Sequence, residues 1–249
     1  MRGPTRSRLS RLASAALRGP AYEPEPGDLR DVTVAGLALP VRATVALFVA
    51  TAAYVADATG LVVADAVRGA LGVAGEPFDQ ATTRAVLFGA IPVLVVMLGF
   101  RDSPARYGLT LGEWRWGVPL LLAGLVVMTP IIWFFSTFPE FVTYYREASG
   151  PLGEVLVRNV VELVPAEFLL RGFLLFVLLR RIGPLAIVVV QVPFVLTHIG
   201  KPDIELWSTF LGGSIFAWLD WRTRSIVWSA IGHVYVLTLM VLLAGAGAG

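Results

Sequence analysis

Seven apolar stretches, at about residues 43–63, 84–100, 117–136, 158–179, 183–200, 206–221 and 225–246, take up most of this chain. Each is close to the ~20 residues an α-helix needs to cross a hydrocarbon layer ~30 Å thick. A helix satisfies its own backbone hydrogen bonds, which lipid cannot do for it. Composition agrees: 56% of the residues are hydrophobic and 15% charged, against ~25% charged in an average soluble domain. The expectation is an all-α polytopic transmembrane helical bundle of about seven spans over 41–249, preceded by a basic segment and linker over 1–40. A length of 249 residues leaves no room for a large soluble domain as well. The absence of cysteine excludes disulfides, thiolate metal sites and a cysteine nucleophile.

Charge orients the bundle. With the N-terminus in the cytoplasm, 14 of the 20 basic residues fall on the inner side and five on the outer, with Arg171 left within the membrane. That bias follows the positive-inside rule and predicts a multi-pass protein of the cell membrane with a cytoplasmic N-terminus. It also accounts for the basic pI without nucleic acid as a partner. Arg2, Arg6, Arg8, Arg11 and Arg18 precede any acid, and Leu9, Leu12, Ala16 and Leu17 share one helical face. The segment reads as a surface helix held by anionic lipid, or as a transit-type targeting segment. Residues 19–40, rich in Pro and Gly, read as linker.

Ionisable groups inside such spans cost ~2.5–3.5 kcal/mol each even on insertion scales, which makes them functional suspects. Glu167 and Arg171 are four residues apart on one helix, in the order that favours an ion pair. That pairing alone could be a device for inserting the helix. Glu162 stands about one turn earlier on roughly the face of Ala166. The only two histidines, His198 and His233, lie in apolar stretches nearer the C-terminus. His233 is eight residues into its span, about 12 Å deep at 1.5 Å per residue, and needs a partner there. Glu167, His198 or a water could serve. A carboxylate can act as general base on water, and an imidazole can position that water or polarise a carbonyl. Two histidines and a carboxylate also form a plausible zinc set.

Taken in order, these residues resemble a known family. The segment Pro165-Ala166-Glu167-Phe168-Leu169-Leu170-Arg171-Gly172 resembles the Glu-Glu-x-x-x-Arg motif of the CAAX-protease and bacteriocin-processing family of intramembrane proteases. Phe194 to His198 matches its Phe-x-x-x-His motif, and His233 stands where its His-x-x-x-Asn/Asp motif begins. The resemblance covers about residues 154–245 and implies a protease-like core in the last four spans. Its implied activity is hydrolysis of a membrane-associated peptide or protein by Glu-activated water assisted by two histidines. Glu167, His198, His233 and Glu162 are then the candidate catalytic residues and Arg171 a structural partner. No cofactor is expected; the alternative is zinc on His198, His233 and Glu167. The substrate and the oligomeric state stay open.

Two motif positions depart. The first Glu is Ala166 and the Asn or Asp is Leu237, neither of which can exchange a proton or donate a hydrogen bond. Either Glu162 or Glu167 takes over as base, or the chain is an inactive relative acting as a membrane binding, immunity or scaffold protein. A third possibility is a transporter with Glu167, Arg171 and His233 along an ion path. Depth adds a condition. Glu167 lies roughly 13 Å below Arg158, whereas His198 is three residues from Lys201, so the loop 200–205 must dip into the bundle for the groups to meet.

Overall fold

The computed structural model describes residues 19–60 and 79–246. The basic segment before residue 19 and Arg68 lie outside them. Apart from one short hairpin the described chain is helical. The helices are α1 (Val41–Ala58), α2 (Asp79–Gly99), α3 (Trp114–Phe135), α4 (Pro139–Tyr145), α5 (152–182), α6 (Leu185–Leu196), α7 (Asp203–Thr223) and α8 (Val227–Ala246). Val41–Ala58, Asp79–Gly99, Trp114–Phe135 and Val227–Gly245 are long and apolar enough to cross a membrane. The chain is an all-α polytopic membrane bundle.

Residues 19–40 are not plain linker. β1 (Asp31–Val34) pairs antiparallel with β2 (Leu37–Pro40). The two residues between them, Ala35 and Gly36, have φ of 50° and 80°, the double positive φ of a tight hairpin turn. The Pro and Gly content upstream hid this four-residue pairing.

Prolines shape the long helices. Pro lacks an N–H and its ring crowds the carbonyl four residues back. In α2, π-helical turns at Ala85–Ala90 and Val95–Gly99 lie on either side of Pro92. In α5, Pro165 is followed by a π-helical segment, Phe168–Leu174. Such segments open the ladder of backbone bonds and recur at functional sites. α6 is broken at Val190, where Pro193 offers no N–H to the carbonyl of Val189. At the same break Gln191 Nε2 donates to the Ile187 carbonyl (2.9 Å).

α5 is the spine of the bundle. Its 31 residues span roughly 46 Å, and all of Phe168–Leu174 is buried. α1 reaches it through a buried stripe of Ala43, Ala46, Ala50 and Ala53, small residues that let helices approach closely. α2 packs on its first half, α7 on its π-helical segment, and α8 lies between α5 and α3. α6, with 12 residues, is about 18 Å long. It is shorter than the ~20 residues of a full crossing, and the turn after it carries His198.

Candidate functional site

Glu167 ends the regular part of α5 and Arg171 sits in the π-helical segment that follows. Both are about 1% exposed, and an Arg171 Nη1 hydrogen donates to Glu167 Oε1. The same oxygen lies 2.5 Å from His233 Nδ1, on α8. A carboxylate oxygen can only accept, so the contact assigns the proton to Nδ1 and leaves Nε2 with its lone pair. The second carboxylate oxygen, Oε2, is buried with no hydrogen-bond partner among the described residues.

His198 joins the site through an aromatic ring. It is buried, and its Nδ1 lies 2.8 Å from the Phe194 carbonyl, so Nδ1 again carries the proton. The Phe194 ring meets the His198 ring nearly edge-on at 4.6 Å and the His233 ring edge-on at 6.0 Å. The Arg171 guanidinium lies over the same ring, its Cζ 4.2 Å from the centroid, with Phe216 at 5.4 Å on another side. Phe194 is thus the hub on which the cation and both imidazoles pack. A cation over a desolvated aromatic face gains ~2 kcal/mol or more.

Glu162 goes elsewhere. It accepts from Arg84 of α2, which also donates to Asp57 of α1 through Nε (3.0 Å) and Nη2 (2.9 Å). This half-buried trio ties α1, α2 and α5 together. The sequence placed Glu162 on the face of Ala166 as a displaced base; a guanidinium 78 residues away claims its carboxylate instead. Neither departing motif position brings a polar atom. Ala166 packs against the large apolar core, and Leu237 against the cluster of Ile132, Phe141 and Val155.

Sequence reasoning missed Asp220. It lies on α7, fully buried, and its Oδ2 accepts from Ser229 Oγ of α8 (2.9 Å). Glu167 and Arg171 are its charged neighbours. The signal was available, since Asp220 is an acid inside the stretch 206–221. Arg224, four residues on, is no helical partner for it: Arg224 has φ 57° and caps α7 from outside.

Among the described residues, no group of three or more His, Asp or Glu side chains is placed to hold an ion. Glu167 and His233 bond each other directly, and His198 turns Nδ1 back to its own helix.

No curated protein and no solved structure matches the chain. A family model does match, over residues 148–239: Rce1-like, Type II CAAX prenyl endopeptidase Rce1-like. The matched interval contains Glu167, Arg171, His198 and His233, the residues just described around Phe194. The part of the chain that builds this site, residues 148–239, is similar to that Rce1-like family, in keeping with the motif resemblance read from the sequence.

Proposed function

We propose that this protein is a membrane-embedded peptidase that cleaves a membrane-associated peptide or protein, with His233 as the general base and Glu167 as its orienting carboxylate. The observation that carries the reading is the 2.5 Å contact between Glu167 Oε1 and His233 Nδ1 inside an apolar bundle. A carboxylate bonded to one imidazole nitrogen fixes tautomer and orientation and stabilises the imidazolium when the other nitrogen takes a proton. In this scheme Nε2 of His233 removes a proton from water as the water oxygen attacks the scissile carbonyl carbon. The imidazolium then returns that proton to the leaving amine nitrogen as the C–N bond breaks. His198, protonated on Nδ1, offers Nε2 as an acceptor to hold the water. The carboxylate missing at Ala166 is then not replaced by another carboxylate. The N-terminus is cytoplasmic and the membrane is the cell membrane, as the arginine bias supports.

A second reading has its own support: Ala166 and Leu237 bring no polar atom to the site. In that reading the chain keeps the fold and binds a membrane peptide without cutting it. Cleavage of a prenylated peptide ending in the CAAX sequence, by purified protein in lipid, separates the two. His233→Gln should lower the rate by ~10²–10⁴-fold, as expected for a general base, while Glu162→Gln leaves it near the native value. Equal loss in both variants would sink the His233 assignment, and a silent native chain would favour the second reading.

A further inference from the structure

The hairpin of residues 31–40 has two unlike faces. The register pairs Val32 with Leu39 and Val34 with Leu37 on one side, and Asp31 with Pro40 and Thr33 with Ala38 on the other. Strand side chains alternate between faces, so one face is wholly aliphatic. Most of it is uncovered by the described chain: Val32 is 47% exposed, Val34 52% and Leu37 65%, while Leu39, next to α1, is partly buried. An isolated two-stranded hairpin is marginal in water unless its apolar face packs on something.

Its position names the partner. β2 ends at Pro40 and α1 begins at Val41, with the Val41 amide donating to the Arg30 carbonyl (2.9 Å). The hairpin therefore stands where the first apolar helix begins, with no spacer. On the opposite face Asp31 accepts from Arg181 of α5 (3.0 Å), which ties that face at Asp31 to the bundle, while Thr33 and Ala38 stay exposed. The adjoining α1 is itself apolar on its exposed side, where Leu47 and Phe48 face outward. Arg30 and Arg101 are exposed at the same end of the molecule, where headgroup phosphates would lie.

We propose that this hairpin is a membrane anchor, with Val32, Val34, Leu37 and Leu39 seated in the bilayer leaflet beside the start of α1. It acts as an interfacial element in the sense of an amphipathic surface helix, built instead from two paired strands. It fixes the depth and tilt of α1, and through Arg181 the adjoining end of α5.

The chain contains no cysteine, so one introduced thiol is a unique label site. Leu37→Cys and Val32→Cys, with Thr33→Cys as the opposite-face control, are each labelled with an environment-sensitive fluorophore. The full chain is reconstituted in phosphatidylcholine–phosphatidylglycerol vesicles carrying bromine on the acyl chains. Labels at positions 37 and 32 should be blue-shifted and quenched several-fold more strongly than the label at 33. Equal, water-like emission at all three positions would overturn the proposal. So would a blue-shifted but unquenched label at 37, which would mean that protein, either a second copy or another partner, covers the face.

Discussion

At the scale of single residues, the site turns on the charge of Arg171. With Glu167 it forms a pair about 1% exposed, where neither ion is solvated. Removing one partner of a buried pair strands the other and costs ~3–5 kcal/mol. Arg171→Ala should therefore lower the yield and thermal midpoint of the protein in membranes along with any activity. An unchanged midpoint would show that the pair is not needed for folding. Much of this was legible in sequence. The i, i+4 spacing of Glu167 and Arg171 predicted their pairing, and the depth of His233 demanded a partner, for which Glu167 was one candidate. The role of Phe194 was not legible, because a spacing of four residues to His198 does not reveal a cation on the same ring. Glu162 was misplaced for a similar reason: helix geometry reports neighbours along the chain, whereas Arg84 arrives from another helix.

At the scale of elements, close approach at the π-helical segment of α5 limits what the sequence may contain. A Cβ built on Gly172 would stand 2.8 Å from the Tyr107 carbonyl oxygen and 2.5 Å from Phe168 Cδ2. The backbone at Tyr107 belongs to the short 3₁₀ turn Pro104–Tyr107 that precedes Gly108. Gly108, at φ 85°, meets Phe176 and Ile226 just as closely and accepts from the Ile226 amide. The glycine after Arg171 thus seats the loop before α3 against α5. Gly172→Ala should destabilise by about 1–3 kcal/mol, the usual cost of overpacking, while Gly124→Ala, with nothing within 4 Å, should be neutral in the same thermal assay. Equal midpoints for the two variants would contradict this close fit. The long helices were readable from hydropathy, but α4 (Pro139–Tyr145) was not, and four of the seven expected spans are long and apolar enough to cross. Their ends and breaks were less so: α5 runs 152–182 where 158–179 was expected, and α6 stops at Leu196 and not at residue 200. Hydropathy measures burial in lipid or protein alike, whereas a proline break depends on one missing N–H. The hairpin escaped notice because four-residue strands carry little periodic signal.

At the scale of the whole molecule, the segment before α1 is strapped across one end of the bundle. Trp221 Nε1 donates to the Pro20 carbonyl (3.1 Å). Asp28 accepts from Arg42 (2.6 Å) and Arg106 (3.0 Å), while Arg42 also reaches Asp102. Burial favours the neutral acid at Asp28, but the Glu25 amide and the Arg42 guanidinium, with help from Arg180 and Arg106, outweigh it. Its carboxyl is held below the usual aspartate range. A depressed folded-state value gives stability that is complete above the unfolded value of ~4 and fades as pH falls through the lower folded value. Acidification should therefore lower the thermal midpoint of the native chain more than that of Asp28→Asn. Identical acid dependence would exclude Asp28 as the group responsible.

The proposed mechanism has a Glu167–His233 pair drive hydrolysis although Ala166 stands where the first motif has a carboxylate. The most direct measurement is single-turnover cleavage of a prenylated, CAAX-ended peptide by the native chain beside Ala166→Glu, both in lipid and both checked for folding. With His233 as the base, the native chain should cleave and should not depend on the restored glutamate. A silent native chain beside an active Ala166→Glu variant would contradict it.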